Sequence, residues 1–275
     1  MSTISRFRAL PDHRLYWRAL VLIGLAGPVQ GVEVQRAPVA DVTLFAIEAN
    51  RASGAGAHLF IGAIASGDPR RALIRFDLTD IPPGSTITAA SLRVFVDRSA
   101  IGSSPDDTAT AHRLLAAWGE GTSNSGGSGA GDVARPGDAT WTERFFAANP
   151  QQSWATPGGD FATGGAAIPL TTTGSFVWSN PPEMIADVQA WVNDPSSNHG
   201  WLIRGNEVSS QNAKRLISRE GGGNGPLLTL QYEPPVAPSG DVPLPAWALG
   251  ALAAALAGSV ARTRARRDPR AGRHP

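Results

Sequence analysis

The chain is 275 residues long, enough for one large domain or two small ones, and it contains no cysteine. The lack of cysteine excludes a disulfide framework and thiolate metal sites. The net charge of +1 hides an uneven distribution, because residues 32–241 carry 14 basic and 21 acidic side chains, a net charge of −7. That balance excludes the basic surface with which proteins bind nucleic acid.

The first segment has the pattern of an export signal. Four arginines between residues 6 and 18 precede a short apolar stretch at 19–26, and a Gly-Pro pair and small residues follow. This order predicts a signal peptide over residues 1–31, whose apolar core is too short to span a bilayer. A buried N-terminal helix is the alternative.

Short apolar runs separated by turn residues follow. Arg71–Leu78 and Ser91–Asp97 alternate polar and apolar side chains with a period of two, which predicts half-buried strands. Further strands are predicted at Asp41–Glu48, His58–Ala65, Ala109–Trp118, Ala166–Leu170, Ser175–Trp178, Gly200–Arg204, Lys214–Arg219 and Pro226–Tyr232. Of these, Ala109–Trp118 also fits a helix.

Two segments depart from the strand pattern. Residues 119–138 are rich in Gly, Ser and Asp and predict a long, mobile surface loop, and ordered structure resumes at Thr140–Phe146. Prolines 181 and 182 then open a helix over Glu183–Val192. Its apolar stripe comprises Ile185, Val188, Trp191 and Val192.

Nine to eleven short strands with a single helix predict an all-β fold, an antiparallel β-sandwich or jelly roll, as one domain over residues 32–233. A proline-rich linker at 234–241 follows. Residues 242–261 are then free of charge, and six arginines lie in the tail at 262–275. This pattern predicts a transmembrane helix with a cytoplasmic basic tail, which would place the domain outside the cell. An amphipathic or core helix is the alternative.

The C-terminal segment resembles a known sorting signal. Val242-Pro243-Leu244-Pro245, an apolar helix and a terminal arginine cluster are similar to the PEP-CTERM tail. The motif of that family is Val-Pro-Glu-Pro, and Leu244 stands at the position of the Glu. The resemblance implies a sorting protease as a partner, and a plain membrane anchor is the alternative.

The domain itself resembles the DNRLRE-domain proteins, which are similar to carbohydrate-binding module family 96. The phrases that carry the resemblance are 71–78, 81–92, Trp118 with Glu120, Thr140-Trp141, 188–193, 199–204 and Ser218-Arg219-Glu220 before the closing strand. The resemblance covers about residues 41–232. It implies a secreted or surface-attached jelly-roll sandwich that binds polysaccharide, and it assigns no binding residues.

Motifs for catalysis are absent from the sequence. No Gly-x-Ser-x-Gly motif occurs, and the five histidines lack the spacing of a metal site. Arg219 and Glu220 fit an ion pair better than an acid/base couple. We therefore expect no enzyme activity, no catalytic residue, no metal ligand and no cofactor, although a structural calcium ion is compatible with the sequence.

Tryptophans are the remaining candidates for a site, because sugar rings stack on indoles. Trp191 and Trp201 lie on apolar faces and are expected in the core. The family resemblance implies the same for Trp118 and Trp141. Trp154 and Trp178 lie in polar, turn-rich surroundings and are the predicted ligand-binding residues.

Three functions follow from these observations. The first is a non-catalytic, exported polysaccharide-binding module. The second is a structural or adhesion protein of the cell envelope or biofilm matrix, without a small ligand. The third is a polysaccharide-degrading enzyme whose carboxylates the sequence does not reveal.

Overall fold

The structure, a computed structural model, describes residues 31–100 and 107–236. No helix in these two ranges is long and apolar enough to cross a membrane. The predicted signal peptide up to residue 30, the transmembrane helix at 242–261 and the basic tail at 262–275 lie outside the described residues.

Within these ranges the chain forms fifteen short strands and one α-helix. The strands are β1 (Val32–Arg36), β2 (Ala40–Phe45), β3 (Arg51–Ser53), β4 (His58–Ala63), β5 (Pro69–Arg75), β6 (Thr86–Ser99), β7 (Thr108–Arg113), β8 (Asp132–Val133), β9 (Glu143–Phe145), β10 (Gln152–Ser153), β11 (Ala166–Pro169), β12 (Gly174–Ser179), β13 (Trp201–Arg204), β14 (Lys214–Ile217) and β15 (Leu227–Glu233). The helix α1 spans Pro182–Asn193, and short 3-10 turns lie at Pro195–Ser197 and Arg219–Gly221.

Thirteen of these strands form one antiparallel sheet that folds over itself. Its order is β1-β15-β6-β14-β4-β5-β13-β7-β11; β12 also pairs with β6, β2 with β5, β3 with β2, and β8 with β3. The hairpin β4–β5 joins the two halves, and β9 and β10 pair separately. The prediction of a sandwich-like all-β fold with one short helix is confirmed.

The main core lies between the two halves of the sheet, and the period-two alternation supplies it. In β6, Leu92, Val94 and Val96 are buried while their neighbours are partly exposed. They pack in one cluster with Ile74 of β5 and Trp201 of β13, from the opposite half. The helix α1 covers one end of this core. Its buried residues are Met184, Val188, Trp191 and Val192, with Ile185 partly buried beside them.

A second apolar cluster lies outside the main core, and it includes the side chains at the even positions of β2. Leu73 of β5 and Leu202 of β13 point away from the main core. They pack with Leu114, Trp118 and Trp154, which come from the chain after β7. Residues 114–165 therefore cover much of the outer face of this half of the sheet.

The segment 119–138 differs from its prediction as a mobile surface loop. It contains little regular structure, but it is packed against the sheet. Asp138 is fully buried, and its carboxylate accepts hydrogen bonds from the backbone N–H groups of Thr122 and Arg135, both at 2.7 Å. Buried Arg70 donates through Nε to the carbonyl of Gly129 at 2.8 Å. These polar contacts replace the apolar side chains that usually fasten a segment to a core.

The first strand pairs with the last, and Val32 lies opposite Tyr232, so the chain enters and leaves the fold side by side. A buried ion pair joins Lys214 of β14 to Asp107, with 2.9 Å between Nζ and Oδ1 and 4% and 7% of the two side chains exposed.

Candidate functional site

Trp154 and Trp178 require a correction, because both are buried. Trp154 is 5% exposed, and its Nε1 donates to the carbonyl of Thr140 at 2.9 Å. Trp178 is fully buried, and its Nε1 donates to the carbonyl of Ala166 at 3.0 Å. Polar neighbours in the sequence suggested exposure, but backbone carbonyls satisfy both indole N–H groups inside the protein. The exposure on which their choice as ligand residues depended is therefore absent.

A polar cleft lies on the outer face of the sheet, where β7 and β13 pair. Along β7, Ala109 and Ala111 enter the main core, so Thr110 and His112 point outward. Arg204 of β13 and Glu207 of the following loop form the opposite wall. The cleft has a volume of about 260 Å³. We refer to it as the β7–β13 cleft.

Ion pairs and an aromatic contact fix the walls of the β7–β13 cleft. Glu207 accepts from Arg71 at 2.7 and 2.8 Å and from Arg204 at 3.0 Å. The guanidinium of Arg71 also lies over the rings of Trp141 and Phe161, at 4.7 and 5.4 Å from their centroids. The Arg204 side chain remains 40% exposed. The cleft thus presents a guanidinium that solvent reaches, on walls that are already held in place.

His112 closes one end of the cleft. Its ring lies 4.9 Å from that of Phe161, and its Nδ1 is 3.1 Å from the carbonyl oxygens of Ala162 and Gly164. Because carbonyl oxygens only accept, Nδ1 carries the proton. The imidazole is therefore fixed in one tautomer and one orientation. The sequence gave no signal for the cleft, which forms only when β7 and β13 pair.

A charged cluster lies at a second place, where β2, the chain after Trp118 and the last 3-10 turn meet. We call it the Asp41 cluster, and it comprises Asp41, Glu120, Arg219 and Glu220. One oxygen each from Asp41, Glu120 and Glu220 lies within 4.8 Å of the others. The expected ion pair between Arg219 and Glu220 is present at 2.8 Å, although in a 3-10 turn rather than a strand.

Hydrogen bonds hold the Asp41 cluster together. Arg219 donates to both oxygens of Glu120, from Nε at 2.7 Å and from Nη2 at 2.8 Å. The backbone N–H of Asp41 donates to Glu120 at 2.8 Å, and Oδ2 of Asp41 accepts from the backbone N–H of Arg219 at 2.8 Å. A glycine at position 54 is required beside this cluster, because a Cβ there would lie 1.8 Å from the carbonyl oxygen of Glu120.

The electrostatics of this cluster are unusual for a protein surface. Burial, reinforced by the neighbouring carboxylates of Glu220 and Glu120, raises the pKa of Asp41 from 3.8 to about 8. Burial also raises the pKa of Glu220, against the effect of Arg219. The sequence gave no sign that Asp41 belongs to this cluster, because it reads as the polar first residue of a predicted strand.

The raised pKa of Asp41 makes stability depend on pH. Between pH 4 and pH 8 the folded chain keeps a proton at Asp41 that the unfolded chain has released. We therefore expect the free energy of unfolding in chelator-containing buffer to fall as the pH rises through this range. In Asp41→Asn this fall should be smaller, as urea denaturation at a series of pH values would measure. Asp80→Asn, an exposed control, should follow the wild type, and an Asp41→Asn profile equal to that of the wild type would contradict the assignment.

Neither a scan against models of known protein families nor a search of curated proteins finds a match to this chain.

Proposed function

We propose that residues 32–233 form a non-catalytic jelly-roll module of the DNRLRE type that binds polysaccharide outside the cell. The observation that carries the proposal is the β7–β13 cleft, in which the 40% exposed Arg204 side chain lies among threonine and histidine side chains. Sugars offer hydroxyl groups and apolar ring faces, and uronic acids add carboxylates. Arginine donates to hydroxyls and carboxylates in a fixed fork geometry.

The dimensions of the cleft favour part of a polymer over a whole small ligand. Its volume of about 260 Å³ lies just below the range of about 300–1,000 Å³ that is typical of small-molecule pockets. A cleft of this size on an open sheet face would hold one or two units of a chain that continues across the surface. Thr108 and Val208, both exposed, lie along its rim.

The proposal gives the binding role to Arg204 rather than to the buried tryptophans. Among the tryptophans of residues 32–233, Trp141 is the one that is half-buried, and Arg71 already covers one of its faces. This position favours a role for Trp141 in holding Arg71 in place over a role in stacking on a sugar ring. Stacking on aromatic rings would then contribute less than hydrogen bonding, and we expect a preference for polysaccharides that carry carboxylates.

Export and anchoring are part of the same proposal. The charge pattern of residues 1–31 supports secretion, and the uncharged segment at 242–261 with its basic tail supports retention at the membrane or release by a sorting protease.

Affinity electrophoresis of the purified full-length chain in gels containing neutral or uronate polysaccharides tests the proposal. We expect at least one uronate polysaccharide to retard migration, and Arg204→Ala to weaken binding about tenfold, the effect of losing one hydrogen bond to a charged group. Arg51→Ala, which removes an arginine on β3 paired with Glu48, is the matched control and should bind as the wild type does.

Other outcomes would decide between the remaining functions. Equal binding by Arg204→Ala and the wild type would exclude the β7–β13 cleft as the site. No retardation by any polysaccharide would favour a structural or adhesion protein of the envelope. Release of reducing ends from the same polysaccharides would indicate an enzyme.

A further inference from the structure

The Asp41 cluster contains a polar atom that its own contacts do not satisfy. Asp41 is 1% exposed, and no described residue donates a hydrogen bond to its Oδ1. A buried carboxylate oxygen without a donor is costly, by about 1–3 kcal/mol or more. Arg219 does not relieve it, because its guanidinium bonds Glu120 and Glu220 and only its backbone N–H reaches Asp41, at Oδ2.

The spacing of the carboxylates suits a calcium ion. Calcium lies about 2.3–2.6 Å from its oxygen ligands, so two ligands of one ion are at most about 5 Å apart. The three oxygens of Asp41, Glu120 and Glu220 all lie within 4.8 Å of one another. The cluster has neither a nitrogen nor a sulfur ligand, which disfavours zinc, and its oxygens come from three separate segments, which suits the flexible geometry of calcium better than the strict octahedron of magnesium.

The charge of the cluster matches a divalent cation. Three carboxylates and the guanidinium of Arg219 give a net charge of −2 when all four groups are ionised. Glu120 and Glu220 keep 18% and 25% of their side chains exposed, whereas Asp41 lies beneath them. An ion could enter from this open side and retain water as its remaining ligands.

We propose that Asp41, Glu120 and Glu220 bind one calcium ion, which joins β2, the chain after Trp118 and the turn before β15. The ion supplies Oδ1 of Asp41 with the positive partner that it lacks. It links segments that are 79 and 100 residues apart in sequence. The site is therefore structural, and it is independent of the β7–β13 cleft.

Isothermal titration calorimetry of the full-length chain, first treated with EDTA and dialysed, tests the site. We expect one calcium ion per chain, with a dissociation constant of about 10⁻⁴–10⁻³ M as in extracellular calcium modules. Saturating calcium should also raise the melting temperature of the wild type.

Variants locate the site. Asp41→Asn keeps the shape of the side chain but removes its charge, and it should weaken calcium binding at least tenfold. Glu220→Gln, at the exposed rim, should weaken binding and serves if Asp41→Asn does not fold. Asp80→Asn, which alters an exposed carboxylate outside the cluster, should bind as the wild type does.

Two results would overturn the proposal. The first is no binding heat and no change in melting temperature at about 10⁻² M calcium, tenfold the weakest expected dissociation constant. The second is wild-type affinity in both Asp41→Asn and Glu220→Gln. Polysaccharide binding is measured separately, so a failure of this proposal leaves the one for the cleft intact.

Discussion

Trp178→Ala is expected to lower the free energy of unfolding by about 3–5 kcal/mol, the usual cost of removing a large aromatic side chain from a core. Trp178 is fully buried on β12, within the main core, and its Nε1 donates to the carbonyl of Ala166 on β11. The substitution would leave both a cavity and an unpaired carbonyl. Urea denaturation followed by circular dichroism would measure the loss.

The matched control separates packing from ligand binding. Trp178→Phe fills most of the volume but cannot donate to Ala166, so we expect a smaller loss, about 1–2 kcal/mol. Polysaccharide binding per folded molecule should remain at the wild-type level in both variants. A stable Trp178→Ala protein with weakened binding would instead restore the sequence-based assignment of Trp178 as a ligand residue.

Lys214→Met is the second substitution with a large expected effect, also about 3–5 kcal/mol of destabilisation. The Lys214 ammonium and the Asp107 carboxylate contact each other at 2.9 Å, and each side chain is less than a tenth exposed. Methionine matches the lysine stem but has no charge, so the Asp107 carboxylate would stay buried without its partner. Chemical denaturation at pH 7 would measure this effect.

The double variant Lys214→Met/Asp107→Asn shows whether the pair itself stabilises the fold. Because the cost of the single variant comes mainly from the unpaired charge, the double variant should recover much of the lost stability. Additive losses in the two single variants would contradict a direct interaction. Arg51→Ala, which breaks the exposed pair with Glu48, should change stability by less than about 1 kcal/mol.

The sequence predicted most of the longer strands, and alternating burial gave the clearest signal for β6. Ser91–Asp97 lies within β6, whose alternation is clear because one face contacts the core. Three very short strands, β3, β8 and β10, lie in segments that were predicted as turns or loops. Two or three residues carry no readable period, and their strand geometry comes from distant partners: β3, for example, pairs with β2 and β8.

The strand β1 was not predicted for a different reason. Val32–Arg36 does alternate, with the even positions partly buried, but the run is short and directly follows the predicted signal peptide. Only its pairing with β15 makes it part of the sheet. The helix α1, by contrast, is indicated by local features of the sequence, namely its prolines and its apolar stripe. The predicted helix, Glu183–Val192, is one residue shorter at each end than the observed one.

Neither candidate site could be predicted from local patterns. The Asp41 cluster joins positions 41, 120, 219 and 220, and the β7–β13 cleft joins a strand near position 110 to one near 204. Glu120 and the Ser-Arg-Glu phrase are among the residues that carry the family resemblance. The resemblance does not imply, however, that they lie close to each other or to Asp41. Such sites depend on strand register, which is set by long-range pairing.

The position of the last strand limits when the domain can finish folding. The strand β15 lies between β1 and β6, so this part of the sheet is incomplete until residues up to Glu233 have been synthesised. The main core is incomplete as well, because it contains Leu228 and Leu230 of β15. A nascent chain that ends before this strand would present β1 and β6 as unpaired edges, and such edges promote aggregation. During synthesis or translocation, the native sheet can therefore form completely only after almost the whole domain has emerged.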